Sequence, residues 1–201
     1  MAKALVIFLH GVGSNGDALA PLGHHWATLL PDVIFAAPNA PERFAAGFGW
    51  QWFSLTDVTP ENRPGRVRAA RAAFDATLNA IVAQHGFVDR WQDVVLVGFS
   101  QGSIMALDAL ASGRYPLAGV VAFSGRLAVE GQLTPQAHVP ALLIHGQADE
   151  VIPWQESESA ATRLRAAGVP VDARFEPATG HTISGPGAMH AAAFIGQCLQ
   201  D

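Results

Sequence analysis

The chain has 201 residues, half of them hydrophobic and only 14% charged, and carries a formal net charge of −5. That length suits one domain spanning residues 1–201 with a substantial core, and the acidic balance argues against a nucleic-acid partner, which needs clustered Lys and Arg to neutralise phosphates. The longest apolar runs, at 4–9, 94–97, 117–123 and 139–144, fall well short of the roughly 20 residues that cross a bilayer, so no integral membrane association is expected.

Taken in chain order, MAKALVIFLHG opens with an apolar run that ends in His10 and Gly11 without a small-residue cleavage site. It reads as a first strand, Ala4–Leu9, and not as a signal peptide. The glycine-rich loop that follows, HGVGSNG, lacks the Lys-Ser/Thr of a phosphate-binding P-loop and does not complete G-x-G-x-x-G. A helix is expected near residues 17–30, and a second strand over Val33–Ala36. The connection at about 37–63 is long enough to suggest function. It holds Phe44, Phe48, Trp50, Trp52 and Phe53, which either build a groove for an apolar substrate or cover the sheet edge and core.

Past Pro64, the residues Val67, Ala70, Phe74, Leu78, Ile81 and Val82 recur at three- and four-residue spacing until Gly86, predicting a helix with a glycine cap. The arginines at 63, 66, 68 and 71 read as its solvated face. Further strands are expected over Val94–Val97, Gly119–Phe123, Ala141–Ile144 and Val171–Phe175, and helices over 101–112, 157–167 and 187–199. A second long connection lies at about 124–139. The last helix carries Ala191, Phe194, Ile195 and Cys198 on one face, so the single cysteine reads as a core thiol. One cysteine rules out an intrachain disulfide and suits a reducing compartment. Strands alternating with helices predict an α/β fold, its mainly parallel central sheet covered by helices on both faces.

Between the strand VVLV and the helical pattern SIMALDAL stands GFSQG, in which Gly98, Ser100 and Gly102 form G-x-S-x-G. Alone the pattern is weak. In a strand-turn-helix setting it describes a nucleophile elbow, where the sharp turn lifts the serine hydroxyl off the sheet. A serine hydroxyl needs a base, itself oriented by a carboxylate, and both are expected in loops after later strands in the order serine, acid, histidine. Asp149 follows ALLIHG, and His181 follows VDARFEP. Of the other histidines, His10 and His145 sit in strand-end His-Gly pairs, His24, His25, His85 and His190 fall in or at the ends of helical segments, and His138 lies in a long loop. None follows a strand after the acid. The N–H of Gln101, next after the nucleophile, and that of Val12, in the loop after the first strand, are the candidate donors to an oxyanion. No H-E-x-x-H, cysteine pair or close ligand cluster appears, so neither a metal nor a cofactor is expected.

FLHGVGSNGDAL, APNAP, the aromatic pair at 52–53, GFSQGSIMAL, FSGRL, HGQADEVIP and GHTIS together resemble the phospholipase/carboxylesterase group of α/β-hydrolases, which includes acyl-protein thioesterases and bacterial carboxylesterases. The resemblance covers nearly the whole chain. It implies a compact α/β-hydrolase fold without a large lid domain, a Ser100–Asp149–His181 triad and an oxyanion hole from Val12 and Gln101. It also implies a cytoplasmic enzyme, often a homodimer, acting on small-molecule acyl esters of short to medium chain length. Trp52, Phe53, Arg126 and Val151 are the candidate pocket residues. Arg126 stands where relatives often carry an aromatic residue, so the shape of the acyl pocket is not transferred. The alternatives are an acyl-protein thioesterase or lysophospholipase and, from a different class, a non-catalytic binding module on the same fold.

Overall fold

The computed structural model describes residues 1–200. The continuously apolar runs become the inner strands of a parallel sheet. Along the chain the strands are β1 (Ala4–Leu9), β2 (Val33–Ala36), β3 (Glu42–Arg43), β4 (Trp50–Gln51), β5 (Val94–Phe99), β6 (Gly119–Phe123), β7 (Ala141–Gly146) and β8 (Val171–Glu176). Six of them pair in the order β2-β1-β5-β6-β7-β8, every neighbour parallel. The helices are α1 (Ala20–Ala27), α2 (Arg63–His85), α3 (Gln101–Ala111), α4 (Gln155–Ala166) and α5 (Gly185–Cys198).

Strand side chains alternate between two cores, as a period of two requires. Leu5, Ile7 and Leu9 of β1 point to one face, where they meet α2, α3 and α4 through residues such as Phe74, Leu78, Met105 and Leu164. Val6 and Phe8 point to the other, against Trp26 of α1 and Ala191 and Ile195 of α5. β1, β6 and β7 are buried along their whole length, whereas the edge strands β2 and β8 are only half-buried. α2 runs from Arg63 to its glycine cap at Gly86 and buries Val67, Phe74, Leu78 and Val82. Among the described residues no helix is long and apolar enough to cross a membrane.

Three expectations change. β5 and β7 run two residues further than their apolar runs, to Phe99 and Gly146, and so bring the chain up to the elbow and to the acid loop. The 37–63 connection is not structureless: β3 and β4 form an antiparallel ribbon, fastened to the loop after β1 by Gly13 N–H to Trp50 O at 2.8 Å and Trp50 N–H to Ser14 O at 2.9 Å. The arginine row is more than a solvated face. Arg71 makes two 2.8 Å bonds to the carboxylate of Asp108, which is 1% exposed and also receives Arg114 Nη1 at 2.9 Å. Arg66 donates to Ser54 O at 2.8 Å, and Arg68 alone of the two stays exposed. Cys198 is half-buried beside Gly119, and burial pushes its thiol up to about 12.

Asp108 therefore ties α2, α3 and the turn at Arg114 together. Asp108→Ala would leave two guanidinium groups facing an empty site, and the expected loss is about 3 kcal/mol in urea unfolding near neutral pH. A loss below about 1 kcal/mol would mean that the cluster behaves as an ordinary surface ion pair.

Candidate active site

The site lies at the carboxyl ends of the parallel strands, where an open α/β sheet leaves its loops free to converge. β5 ends at Phe99 and α3 begins at Gln101, so Ser100 alone makes the turn, at φ 54° and ψ −118°. Such a conformation is strained for a residue with a Cβ. The neighbouring glycines make the turn fit. A Cβ on Gly98 would lie 2.5 Å from Ser103 N, and one on Gly102 would overlap the carbonyl of Leu9. Ser100 N–H is taken up by Phe123 O of β6 at 3.0 Å.

His181, in the loop after β8, reaches Ser100 Oγ with Nε2 at 3.0 Å, and its Nδ1 lies 2.7 Å from Asp149 Oδ2. Its ring leans on Phe99, with centroids 4.9 Å apart. The Asp149 side chain is fully buried, and its Oδ1 accepts the N–H groups of Val151 and Ile152 at 2.8 and 2.9 Å. Burial alone pushes this carboxyl up. The bonds from His181, Ile152 and Val151 outweigh that and hold it below its ordinary value, so the group is ionised. An ionised Asp149 requires the proton of His181 on Nδ1, which leaves the Nε2 lone pair facing the serine hydroxyl.

The segments that carry the candidate oxyanion donors are braced as well. As the first residue of α3, Gln101 has an N–H with no acceptor inside the helix. Its side chain braces the neighbouring loop: Oε1 accepts Trp52 N–H at 2.7 Å, and Nε2 donates to Phe53 O at 2.7 Å. Trp52 in turn donates its indole N–H to His10 O at 2.8 Å. His10 Nε2 accepts Ala40 N–H at 2.9 Å, so its proton sits on Nδ1 and goes to Gly11 O at 2.7 Å. Burial keeps this imidazole's pKa low, against the Gly11 bond. The segment His10–Val12 is thus held on both sides before any substrate arrives.

A cavity of about 480 Å³ opens over Ser100 and His181, walled by Val12, Leu19, Phe99, Val151, Thr182 and Ile183. Of the pocket residues expected from sequence, Val151 lies in this wall; Trp52, Phe53 and Arg126 do not. Trp52 and Phe53 are 1% and 3% exposed because their rings pack into the core under the ribbon, Trp52 against Phe74. Arg126 is turned toward Glu156, 3.8 Å away, with a buried Nε that has no partner, and burial beside Arg63 lowers its pKa. The wall residues missed from the sequence, Leu19, Phe99, Thr182 and Ile183, lie inside the GDAL, GFSQG and GHTIS motifs, and that membership was the available signal. Among the described residues no group of three or more His, Cys, Asp or Glu side chains is placed to hold a metal ion.

The chain is similar to known proteins along most of its length. The sequence model of the phospholipase/carboxylesterase family matches residues 1–199. Esterase YpfH of Escherichia coli (strain K12) is 33% identical over 182 residues, 90% of this chain and 77% of that protein. Acyl-protein thioesterase 1 of Emericella nidulans is 26% identical over 188 residues, 83% of this chain and 77% of that one. Among solved structures, esterase PE8 superposes with a TM-score of 0.89 at 37% identity, covering 98% of this chain and 93% of its own. A carboxylesterase from Mesorhizobium loti shares the fold, with a TM-score of 0.81 at 24% identity over 98% and 90% of the two chains.

The brace on Gln101 is testable apart from its N–H. Gln101→Leu keeps the backbone donor but leaves Trp52 N–H and Phe53 C=O buried without partners, an expected cost of about 2 kcal/mol in thermal unfolding. At a temperature where the variant is folded, kcat on p-nitrophenyl butyrate should fall by about 10-fold or more as the oxyanion loop loosens. An unchanged kcat would show that the loop needs no such brace.

Proposed function

The chain belongs to the phospholipase/carboxylesterase family, its activity is that of a carboxylic-ester hydrolase, and we propose that Ser100, His181 and Asp149 carry that activity. The observation that supports this assignment is the continuous chain of contacts, 3.0 Å from Ser100 Oγ to His181 Nε2 and 2.7 Å from His181 Nδ1 to Asp149 Oδ2, at the floor of the cavity.

In the proposed cycle His181 Nε2 takes the hydroxyl proton as Ser100 Oγ attacks the acyl carbonyl. Asp149 holds the imidazole in place and stabilises the imidazolium. The N–H groups of Val12 and Gln101 receive the oxyanion. Collapse of the tetrahedral species breaks the ester C–O bond, and the imidazolium proton passes to the departing alkoxide. A water molecule then gives its proton to His181 and attacks the acyl-enzyme, releasing the carboxylic acid and restoring Ser100. No cofactor enters any step.

The moderate cavity volume and its apolar wall support short- to medium-chain acyl esters as substrates. The same attack opens a thioester, and the likeness to an acyl-protein thioesterase makes thioesters or lysolipids the second reading. Comparing kcat/KM on simple esters, palmitoylated peptides and lysolipids separates the two. The single cysteine supports a cytoplasmic location, and the family resemblance supports a homodimer.

Ser100→Ala should lose p-nitrophenyl butyrate hydrolysis by about 10⁴-fold or more with an unchanged far-UV circular dichroism spectrum. Wild type should be labelled at Ser100 by a fluorophosphonate probe; retained activity or absence of labelling would sink the assignment. For wild type, kcat/KM should fall as the pH is lowered, because the proposed cycle needs a neutral base at Ser100 Oγ. With Asp149 held below the ordinary carboxylate range, that limb should follow a single ionisation.

A further inference from the structure

The His-Gly pair at the end of β7 has no role in the cycle above, yet its side chain touches the site. His145 is fully buried. Its Nε2 lies 2.8 Å from Ile152 O and 3.1 Å from Asp149 Oδ2, and its Nδ1 lies 2.6 Å from Ser157 Oγ on α4. The tautomer follows from these partners. Nε2 faces two acceptors, a carbonyl and a carboxylate, so it must carry the proton. Nδ1 then accepts the Ser157 hydroxyl proton, the one partner that can donate. The reverse tautomer would set a lone pair against both oxygens.

We infer that His145 is a positioning residue for the nucleophile system: its Nε2–H donates to Ile152 O, fixing the loop whose N–H groups hold Asp149 Oδ1, and stands 3.1 Å from Oδ2, the oxygen that orients His181. The inference rests on the proposed role of Asp149. The buried carboxylate has three hydrogen bonds, from Val151 and Ile152 N–H on Oδ1 and from His181 on Oδ2, and His145 Nε2–H is a polar neighbour of Oδ2 at 3.1 Å. The carboxyl plane cannot rotate about Cβ–Cγ without breaking bonds at both oxygens. The titratable groups facing His145 are Asp149 and, across it, His181; α4 contributes the Ser157 hydroxyl, which also lies 3.5 Å from Gly125 O. Burial keeps the His145 pKa low, against the bonds to Ile152 and Asp149, which suits a neutral donor.

Two substitutions at the position and one beside it test this. His145→Leu removes the donor, His145→Gln places an amide N–H near the position of Nε2, and Ser157→Ala removes the hydroxyl that selects the tautomer. With p-nitrophenyl butyrate, His145→Leu should lower kcat by about 10-fold or more while KM stays within about 2-fold. It should also move the acid limb of kcat/KM upward, as the neutral N–H is removed from beside Asp149 Oδ2. His145→Gln should restore most of both, and Ser157→Ala should shift both in the direction of the leucine variant, by less. A loss of activity that only tracks the folded fraction, with the acid limb unmoved in the variants that fold, would overturn the inference and leave His145 a packing residue. Should His145→Leu fail to fold, an unmoved limb and wild-type kcat in Ser157→Ala overturn it equally. Asp149→Asn keeps the two results apart, since full activity there would refute the role of Asp149 itself, whatever His145 does.

Discussion

The turn at Ser100 is the constraint from which the rest of the site is laid out. Holding a non-glycine residue at φ 54° costs on the order of 1–3 kcal/mol. It persists because its surroundings leave no alternative: Gly98 lets β5 pass Ser103, Gly102 lets α3 settle on the Leu9 carbonyl, and Phe123 O accepts both Ser100 N–H and Ser103 Oγ. The close approach at Gly102 has a further effect. It brings the start of α3 against the end of β1, so the free N–H at the start of the helix and the loop at Val12 meet over the same serine. The proposed oxyanion donors and the proposed nucleophile are therefore set by one packing contact between α3 and β1.

Around this contact the chain treats its two buried carboxylates in opposite ways. Asp108, on α3, is neutralised by two arginines and joins three parts of the fold. Asp149 has no guanidinium or ammonium among its partners, only backbone N–H groups and imidazoles. The difference is chemical. In the proposed cycle an arginine on Asp149 would cancel the charge that stabilises the imidazolium of His181, whereas neutral donors stabilise the buried carboxylate and leave its field directed at the histidine. The same economy of charge recurs at His10, which organises the oxyanion loop as a neutral imidazole and adds no positive charge of its own.

The sequence made the strand order of chemistry legible because each active loop follows an uninterrupted apolar run: VVLV before Ser100, ALLI before Asp149, and the more mixed VDARF before His181. The helix periodicity from Val67 to Val82 was equally clear. Other features were hidden for specific reasons. β5 and β7 continue through glycine and histidine, residues that carry no apolar signal, so their true ends fell outside the pattern. The aromatic run at 50–53 gave no direction, since which ring turns inward depends on the β3–β4 ribbon, whose two-residue strands are too short to show alternation. It proved a support for the oxyanion loop, with Phe48 97% exposed while Trp52 lies in the core. Arg71 resembled its exposed neighbours because its partner Asp108 lies 37 positions away. His145 was masked by sharing a dipeptide with His10, and only the fold distinguishes a ligand of the oxyanion loop from a ligand of Asp149.

The position of Trp52 also decides where selectivity for the acyl or alcohol group can arise. With the aromatic loop committed to bracing His10 and Gln101, its side chains are not free to shape a pocket without loosening the donors they support. The cavity wall itself, at Leu19, Val151 and Ile183, is under no such obligation. Val151 shows the separation most clearly: its backbone N–H binds Asp149, while its side chain, 65% exposed, projects at the rim of the cavity. A change of side chain there reshapes the approach to Ser100 without removing a bond from the carboxylate. Substrate preference in this fold can thus vary along the cavity wall while the buried aromatic loop keeps the proposed catalytic geometry fixed.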